Sequence, residues 1–413
     1  MKQIILRKKL SASLKNTATA TAVLAVVLSL TLTACGTKAP ESGAADTAGE
    51  AVTVEEGIIG EASVYEGNLI GEASQYEGEA DSEATAAGNA STVDEASAIG
   101  EASVYEGSKP EDTSVAGPLH VSKTFLCDSS GAAVNLRGVS THGINYYPEY
   151  VNKDAFRTLR DDWGVNLIRL AMYTQEAGGY LSGGDQNAQL AIIDNGVSYA
   201  EELGMYVIID WHILSDGNPT QHQTEAVEFF DMMSSKYKDK DNVIYEICNE
   251  PQNSPWTSVI RPYAEEVISA IRKNDKDAVV LVGTNNWSQY VDEVIGNELN
   301  DDNVMYCVHF YAATHRDDLR QRVQKALSAG VPVFISECSI CDASGNGDID
   351  YDSADKWLEL IDSNHIPYVI WNLSNKNESS ALIRPDCTKL SDWSESELSS
   401  TGQYFREHMR AEN

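Results

Sequence analysis

Two glutamates stand where apolar runs of the sequence end, a position that favours catalytic chemistry. The run Val243–Ile247 is followed by Glu250, and Pro251 then prevents the strand from continuing because proline has no backbone N–H to donate. A second apolar run, Val331–Ser336, ends at Glu337. Barrels of parallel strands carry their active sites at the carboxyl ends of those strands. The sequence therefore predicts that Glu250 and Glu337 form a carboxylate pair.

A pair of carboxyl groups can cleave a glycosidic bond. One carboxylic acid protonates the leaving oxygen while the other attacks the anomeric carbon. The two groups need different surroundings, since one must hold a proton and the other must stay ionised. Arg169, on another predicted strand, is expected beside Glu337, where a guanidinium stabilises a charged carboxylate. Asn249, next to Glu250, is expected to hydrogen-bond a sugar 2-hydroxyl.

Further polar and aromatic residues follow the other predicted strands. Four of the eight histidines would lie at this one face, and tryptophan and tyrosine side chains would offer flat apolar surfaces to sugar rings. These strand-end candidates are His142, Tyr173, His212, Trp287, His309, Tyr311, His315 and Trp371. Random placement would scatter the histidines, so their grouping indicates a functional face.

The histidines also leave a metal site as an alternative. His142, His212 and His309, together with the glutamates, are side chains that zinc accepts as ligands. A barrel metallohydrolase would more often have a His-x-His pair on its first strand, and this sequence has none. We therefore expect chemistry by the two glutamates, with no metal and no organic cofactor.

Apolar strands alternate with amphipathic helical stretches from residue 118 onward, a pattern typical of βα units. The predicted strands are Val134–Ser140, Val165–Met172, Met205–Asp210, Val243–Ile247, Ala278–Gly283, Val304–Phe310, Val331–Ser336 and Ile366–Trp371. The predicted helices span residues 152–163, 188–203, 221–237, 256–273, 287–299, 315–329, 351–363 and 396–410. Eight such repeats predict an α/β fold, a (β/α)8 TIM barrel. A hairpin of Leu119–Leu126 with Ala133–Leu136, joined by Asp128–Gly131, would plug its bottom.

The first 117 residues differ in composition from the rest. Residues 1–34 have a basic start and the apolar run Ala22–Leu32, which is typical of a signal peptide, and Leu32–Cys35 resembles a bacterial lipobox with Cys35 as the lipidated residue. An ordinary signal peptide that contains a cysteine is the alternative. Residues 36–117 carry 18 acidic residues against two lysines and few aromatics, so residues 35–117 are predicted to be a disordered tether.

The tether contains three copies of the pattern IGEASxYEG, at residues 59–67, 70–78 and 99–107. Their irregular spacing argues against a solenoid, and an expanded spacer or a peptide docking motif remain as interpretations. Residues 118–413 would then form the catalytic domain. The localisation expected from these features is extracellular, either tethered to the bacterial cell membrane as a lipoprotein or secreted.

The net charge limits which molecules the protein is expected to bind. A net charge of −33 argues against nucleic acid and anionic surfaces, while an uncharged polysaccharide is not repelled. We expect a monomer that meets the membrane only through an N-terminal lipid.

The cysteines of the catalytic part are not expected to be reactive. Cys248 and Cys307 are predicted to be buried apolar residues, and Cys338-Ser-Ile-Cys341 lacks the context of a redox motif. The sequence leaves the disulfide state of Cys127, Cys248, Cys307, Cys338, Cys341 and Cys387 open.

Six stretches, taken in order along the chain, resemble bacterial endoglucanases of glycoside hydrolase family 5, close to its subfamily 2. These stretches are Ile168–Tyr173, Asp210–Leu214, Tyr245–Pro251, His309–Ala312, Ile335–Glu337 and Trp371–Lys376, and the resemblance runs from about residue 119 to residue 410. It implies a (β/α)8 enzyme with Glu250 as acid/base and Glu337 as nucleophile. The activity implied is a retaining endo-β-1,4-glucanase that hydrolyses internal bonds of cellulose or related β-glucans.

The resemblance also implies roles for residues around the bond that is cleaved. The shell around the cleaved sugar is matched by Arg169, His142, His212, Asn249, His309 and Tyr311, and its stacking platform by Trp371. Lys376 and Glu378 match residues that bind the next sugar on the non-reducing side. Trp287 matches a platform on the leaving-group side. Two departures stand out. Tyr146 replaces a usual tryptophan, which would weaken or redirect a distal subsite, and Cys338-Ser339 replaces a common Trp-Gly.

Two rival functions remain on the sequence alone. The same two-glutamate mechanism could act on mixed-linkage glucan, xyloglucan or mannan, because loops on this scaffold alter the substrate. A surface protein that binds glycans without cleaving them is the other rival, although a binder has no need of both Glu250 and Glu337 together with Arg169.

Overall fold

The structure, a computed structural model, describes residues 117–411, in which strands and helices alternate along the chain. The predicted signal peptide, Cys35 and the tether as far as residue 116 lie outside the described residues. Among residues 117–411, no helix combines the length and apolar character that a membrane-crossing segment needs.

A short antiparallel hairpin, β1 (Leu119–Ser122) with β2 (Phe125–Asp128), opens the described chain. The predicted turn at Asp128–Gly131 is present, with Gly131 N–H donating to the Asp128 carbonyl and Val134 N–H to the Leu126 carbonyl. The chain also reverses earlier, at Lys123 with a φ of 56°, which the sequence did not predict. Nothing in a lysine signals a left-handed conformation, since glycine and asparagine are the residues that usually adopt it. The segment after β2 makes only an isolated bridge, between Cys127 and Ala133.

Eight parallel strands close into a barrel, as predicted, in the order β10-β3-β4-β5-β6-β7-β8-β9. Their bounds are β3 (Arg137–Thr141), β4 (Leu167–Tyr173), β5 (Tyr206–His212), β6 (Val243–Glu246), β7 (Val280–Val282), β8 (Val304–Tyr311), β9 (Val333–Ser339) and β10 (Tyr368–Leu373). Pairing of Tyr173 with His212 and of His309 with Glu337 aligns the carboxyl ends of these strands at one face.

Helices cover the outside of the barrel. Their bounds are α1 (Lys153–Thr158), α2 (Gln186–Glu202), α3 (Gln223–Tyr237), α4 (Arg261–Asn274), α5 (Asp317–Ser328), α6 (Tyr351–Asn364) and α7 (Ser400–Ala411). In α4 the buried residues Tyr263, Ala264, Val267, Ile268 and Ile271 recur every three or four positions, so a single face packs on the strands.

The helix predicted over residues 287–299 is not present. After β7 the backbone instead makes a left-handed turn, with φ of 55–57° at Asn286, Trp287 and Ser288, and then a short 3-10 turn at Val291–Val294. Trp287 N–H donates to the Pro251 carbonyl, and Ser288 Oγ donates to the Asn249 carbonyl. These bonds to the segment after β6 hold the turn in place of a helix.

The hairpin closes the barrel at the amino ends of its strands, as predicted. Leu119 and Leu126 belong to a buried apolar cluster with residues from the barrel interior, namely Leu167, Tyr206, Ile208, Ile244, Leu281, Met305, Cys307, Phe334 and Val369. The second apolar layer, between strands and helices, is larger and includes Trp163, Trp211, Phe230 and Trp357. The barrel is therefore packed below and open above, where the polar strand ends lie.

All six cysteines of the described residues are buried free thiols. Cys248 and Cys307 are fully enclosed, as expected of small apolar residues. Burial also raises the pKa of the Cys338 thiol well above its usual range, which argues against redox reactivity at the Cys338-Ser-Ile-Cys341 segment.

Candidate active site

A cavity of about 550 Å³ opens where the carboxyl ends of the barrel strands meet. Twelve of its lining residues are ones to which the sequence drew attention, namely His142, Tyr173, His212, Glu250, Trp287, His309, Tyr311, His315, Glu337, Trp371, Lys376 and Glu378. The predicted grouping of four histidines at one face is thus confirmed.

The two glutamates that end apolar runs face each other across the floor of this cavity. A carboxylate oxygen of Glu250 and one of Glu337 lie within 4.8 Å of each other. The Glu337 side chain is 5% exposed and that of Glu250 is 12% exposed. The pair is thus largely withdrawn from water yet reachable from the cavity.

Arg169 lies under the cavity floor and contacts both the pair and the barrel interior. Its Nη1 donates to Glu337 Oε2 at 3.2 Å, its Nη2 to Asn249 Oδ1 at 2.6 Å, and its Nε to Glu246 Oε2 at 2.7 Å. Glu246 therefore points into the barrel and pairs with Arg169. Burial alone would raise the pKa of Glu246, but Arg169 and His309 together outweigh it and the pKa falls to about 2.

Four buried side chains form a closed ring of polar contacts beside the cavity. Asp210 Oδ2 accepts from Arg169 Nη2 at 3.0 Å and faces His212 Nδ1 at 2.6 Å. Asn249 Nδ2 lies 3.4 Å from His212 Nε2, and Asn249 Oδ1 returns to Arg169. The ring fixes which way the Asn249 amide faces. Burial and the charge of Arg169 lower the pKa of His212 to about 3, so the His212 imidazole is neutral.

His309 links Glu250 to the barrel interior. Its Nδ1 lies 3.0 Å from Glu250 Oε1, and its Nε2 lies 2.9 Å from Ser336 Oγ. Ser336 Oγ in turn donates to Glu246 Oε1 at 2.8 Å. Burial alone would lower the pKa of His309, but its bonds toward Glu246 and Glu250 outweigh it and raise the pKa to about 9.

Tyr311 supplies a second donor to the other glutamate. Its hydroxyl donates to Glu337 Oε1 at 2.7 Å, while Arg169 donates to Oε2. Burial and the negative charge of Glu337 raise the pKa of Tyr311 well above its usual range, so the phenol keeps its hydrogen. Each oxygen of Glu337 thus has a donor of its own.

Aromatic rings form one wall of the cavity. The Trp371 ring lies nearly parallel to the His212 ring, with centroids 5.3 Å apart and an interplanar angle of 11°. The centroid of the His142 ring also lies 5.3 Å from that of Trp371, with the two planes tilted by 43°. Across the cavity Trp287 keeps 40% of its surface exposed. A flat ligand with alternating apolar faces and hydroxyl edges matches these walls.

A charged group lies at the far end of the cavity. Lys376 Nζ pairs with Glu378 Oε2 at 2.7 Å and lies 3.3 Å from His142 Nε2. Burial and Lys376 lower the pKa of His142 to about 3, so His142 is neutral there. The three side chains give hydrogen-bond donors and acceptors without a net local charge.

Three predicted site residues do not line the cavity. Arg169 and Asn249 lie beneath its floor, as described above. Tyr146 lies beside the cavity, 43% exposed, with its ring 5.6 Å from Tyr173 and its hydroxyl bonded to the Ala177 carbonyl. The hydrogen of this hydroxyl is therefore already donated to the protein's own backbone.

Sequence reasoning missed several residues of the cavity and its support. Leu214, Gln289 and the loop residues Ala343, Ser344 and Gly345 line the cavity. Loop residues of this kind carry no strand-end signal. Ser336 had a signal, since it directly precedes Glu337 in a strand, but alternation along that strand points it toward His309 instead of the cavity.

Glu250, His309 and Glu337 also offer three ligand atoms within 4.8 Å of one another, a spacing compatible with a metal ion. Both His309 nitrogens, however, face partners in Glu250 and Ser336. Arg169 adds a positive charge against Glu337, which disfavours a second cation there. These donors fit proton transfer between carboxyl groups better than they fit a metal.

Known proteins are similar to this chain over most of the barrel. A family described as cellulase (glycosyl hydrolase family 5) matches residues 127–377. The chain is 47% identical to endoglucanase A of Butyrivibrio fibrisolvens over 292 residues, which is 70% of this chain and 68% of that protein. It is 46% identical to endoglucanase A of Evansella cellulosilytica over 282 residues, which is 68% of this chain and 57% of that protein. The matched part of the chain thus corresponds to 57–68% of the length of these two relatives.

A solved structure is similar over nearly its whole length. It is the catalytic domain of the Thermobifida fusca endoglucanase Cel5A in complex with cellotetraose, with a TM-score of 0.67 and 37% identity. The match covers 71% of this chain and 98% of that domain.

Proposed function

This chain belongs to the cellulase family, glycoside hydrolase family 5, and on that basis we propose that it is a retaining endo-β-1,4-glucanase. Its substrate would be cellulose or a related β-glucan, cut at internal β-1,4 bonds. The observation that carries the mechanism is the separation of the Glu250 and Glu337 oxygens, within 4.8 Å. Retaining enzymes hold their carboxyl groups about 5–5.5 Å apart and inverting enzymes about 6.5–9.5 Å apart, so the retaining distance fits far better.

In the first step Glu337 attacks the anomeric carbon, and Glu250 gives its proton to the leaving glycosidic oxygen. The bonds from Tyr311 to Oε1 and from Arg169 to Oε2 hold the Glu337 carboxylate in one orientation before the reaction. Such fixed donors cost no reorganisation when the charge moves. The product of this step is a sugar bound covalently to Glu337.

In the second step water replaces the leaving sugar. Glu250, now a carboxylate, takes a proton from this water, which attacks the anomeric carbon and frees Glu337. The Asn249 amide, oriented by Arg169 and His212, is proposed to bind the sugar 2-hydroxyl during both steps.

The remaining cavity residues are proposed to bind the glucan on either side of the bond. Trp371 would stack on the cleaved sugar, with His142, Tyr173 and His212 around it. Lys376 and Glu378 would hold the next sugar toward the non-reducing end. Trp287 would stack on the leaving-group side. Tyr146, which lies beside the cavity, would reach only a more distant sugar.

Counting reducing ends tests the activity. The purified protein and its Glu337→Gln variant would be incubated with carboxymethyl-cellulose, mixed-linkage glucan and mannan. Release from carboxymethyl-cellulose that the variant loses supports the endoglucanase proposal. Release only from mannan or mixed-linkage glucan would keep the mechanism and change the substrate. Binding without any release would make the protein a glycan binder.

Two controls make this assay sharper. Glu265→Gln, on the outer face of α4 where Glu265 pairs with Arg261, makes the same chemical change far from the cavity and should leave activity intact. Product anomers can be followed by NMR during the first minutes of hydrolysis. The β anomer must appear first if configuration is retained, and early α anomer would rule out the double displacement.

We also propose that the protein is a lipoprotein held outside the cell on an acidic tether and that it acts as a monomer. The support is the composition of residues 1–117, with its signal-like start, Cys35 and excess of acidic residues. In cells, the activity should sediment with membranes and should be released or lost from them in a Cys35→Ala variant. Equal distribution of both forms would reject lipidation.

A further inference from the structure

A line of hydrogen bonds runs from the barrel interior to the proposed acid. Glu246 accepts from Ser336 Oγ at 2.8 Å, Ser336 Oγ lies 2.9 Å from His309 Nε2, and His309 Nδ1 lies 3.0 Å from Glu250 Oε1. Glu246, Ser336 and His309 are each 0–1% exposed, so water does not compete for these bonds. The line ends at the group that must give up a proton in the first step.

The donors in this line can be assigned from chemistry alone. Arg169 and Ser336 both donate to Glu246, so it is the acceptor at the start of the line. The Ser336 hydroxyl has a single hydrogen, and it points to Glu246. Its oxygen must then accept from His309, which places a hydrogen on Nε2.

The state of His309 decides where the proton of Glu250 lies. If Nδ1 also carries a hydrogen, it donates to Glu250 Oε1, and that oxygen can only accept. The acidic proton of Glu250 must then be on Oε2. If Nδ1 is bare, Glu250 would instead give its proton to the histidine, away from the substrate.

Resting on the proposed glucanase function, we propose that Ser336 is a positioning residue for the acid. By accepting from His309 Nε2 and donating to Glu246, it holds one hydrogen on Nε2 and fixes the orientation of the ring. The second hydrogen of the charged imidazole, on Nδ1, then points to Glu250 Oε1 and leaves the acidic proton of Glu250 on Oε2. Ser336 does not line the cavity and acts only through His309.

The charges around His309 favour this doubly protonated form. Acidic groups face it from several elements, and a histidine lies nearby: Glu246 on β6, Glu250 after β6, Glu337 on β9, Asp210 on β5 and His315 after β8. Burial opposes the charge on His309, but its hydrogen bonds toward Glu246 and Glu250 and the charge of Glu337 outweigh it and its pKa rises to about 9. When Glu250 holds its acidic proton, Glu246 stays ionised with a pKa of about 2, and its Oε1 lies 3.8 Å from His309 Nε2. His315, whose pKa burial lowers to about 4, adds no positive charge at neutral pH.

NMR of the wild-type protein tests the assignment directly. In protein labelled with ¹⁵N-histidine, with signals assigned by loss in His309→Gln, both ring nitrogens of His309 should carry hydrogen at pH 7. Hydrogen on Nε2 should persist, and Nδ1 should lose its hydrogen only near pH 9. A bare Nε2 or a bare Nδ1 at pH 7 would overturn the proposal without any variant of Ser336.

Kinetics test the consequence for the acid. Ser336→Ala should slow hydrolysis of phenyl cellobioside, which needs a strong acid, by roughly tenfold. Hydrolysis of 2,4-dinitrophenyl cellobioside, whose leaving group needs little protonation, should change much less. Equal slowing of both substrates would overturn the role in acid positioning.

Two further variants separate this role from damage to the strand. Ser339→Ala removes a buried hydroxyl from the same strand, where it contacts Cys341, and should slow both substrates equally or neither. Ser336→Thr keeps the hydroxyl and should restore the wild-type ratio of the two rates. A threonine variant with the alanine ratio would contradict the proposal.

The proposed function can fail separately. If the protein cleaves no glucan and no aryl cellobioside, the glucanase assignment fails while the NMR states of His309 remain measurable. If it cleaves both aryl substrates and Ser336→Ala leaves their ratio unchanged, the glucanase assignment stands and the positioning role fails.

Discussion

At the scale of residues, Arg169 connects Glu337 and Asn249 to the buried carboxyl groups that hold the guanidinium in place. It is fully buried and contacts Glu246, Asp210, Asn249 and Glu337. A buried cation of this kind is stable only with such partners, because leaving one charge unpaired inside a protein is costly. Glu246 and Arg169 therefore form the base on which Glu337 and Asn249 are oriented.

The sequence predicted the pair Arg169–Glu337 but not the direction of Glu246. Alternate residues of a barrel strand point inward and toward the helices, and periodicity alone does not say which set holds the charge. A buried glutamate is rare without a partner, so the inward arginine two strands away was the only usable clue. In the structure Glu246 on β6 is paired with Asp210 on β5, and both contact Arg169 inside the barrel, so Glu246 points inward.

Tyr311→Phe tests the donor to the proposed nucleophile. Removing a hydrogen bond to a charged group costs about 1.5–3 kcal/mol. If that bond is needed in the transition state, kcat should fall roughly 10–100-fold. Steady-state kinetics on a soluble β-glucan would measure it, with thermal unfolding to check that the variant is folded.

Tyr263→Phe is the matched control for this change. It also removes a buried phenol hydroxyl, one that donates to the Ile247 carbonyl at 2.6 Å behind the strands. It should lower stability and leave kcat near wild type. Comparable losses of kcat in the two variants would show that the Tyr311 effect is not local to Glu337.

His309 should make stability depend on pH above neutrality. Its pKa is raised from about 6.5 in the unfolded chain to about 9, so the folded state binds this proton more tightly. The resulting stabilisation is complete below pH 6.5 and is lost as pH rises through 9. Its size is on the order of 3 kcal/mol. Denaturant unfolding at pH 6.5, 7.5 and 9 would measure this decline.

His309→Gln should remove most of this decline, because glutamine does not titrate. The variant would be less stable at pH 6.5 and would lose little more by pH 9. Parallel curves for the two proteins would assign the pH dependence to other groups.

At the scale of elements, the strand ends were the most predictable part of the site. A polar residue after an apolar run marks the last part of a buried strand or the residues just beyond it, as at His212, Glu337 and Glu250. The barrel then brings these ends together without further information. Loops carry no such rule, which is why Gln289 and residues 343–345 were missed.

The turn after β7 shows where local sequence misleads. Residues 287–299 have helical periodicity, but Trp287 adopts a left-handed φ of 56° and so do its two neighbours. Such conformations cost about 1–2 kcal/mol per residue and need outside support. Here the support comes from the Pro251 and Asn249 carbonyls, contacts that are distant in sequence.

Trp287→Ala tests whether this turn presents a sugar platform. Loss of a half-exposed ring beside the cavity should raise KM for a polysaccharide roughly tenfold, while kcat on a short aryl cellobioside changes little. Trp287→Phe should lie between, since it keeps a smaller ring. Tyr351→Ala is the control, because Tyr351 is 47% exposed but does not line this cavity. An equal KM effect in both would argue against a specific platform.

At the scale of the whole molecule, the two ends of the barrel have separate tasks. The open end holds the polar strand ends, and the closed end holds the apolar plug formed by β1 and β2. The barrel architecture and the plug could be predicted from the alternation of strands and helices. The exact pairing inside the plug could not, because it depends on a left-handed lysine, Lys123.

Leu126→Ala tests this separation of stability from activity. Leu126 is 1% exposed within the plug, so truncating it should leave a cavity and cost about 2–5 kcal/mol of unfolding free energy. Because the plug lies at the opposite end from Glu250 and Glu337, kcat measured well below the melting temperature should be unchanged. Leu390→Ala, at a leucine that is 39% exposed, is the control and should alter neither quantity. A Leu126→Ala protein that is fully folded but has a much lower kcat would mean that the packing of the barrel floor is coupled to the geometry of the carboxylate pair, which the separate contacts of the two ends argue against.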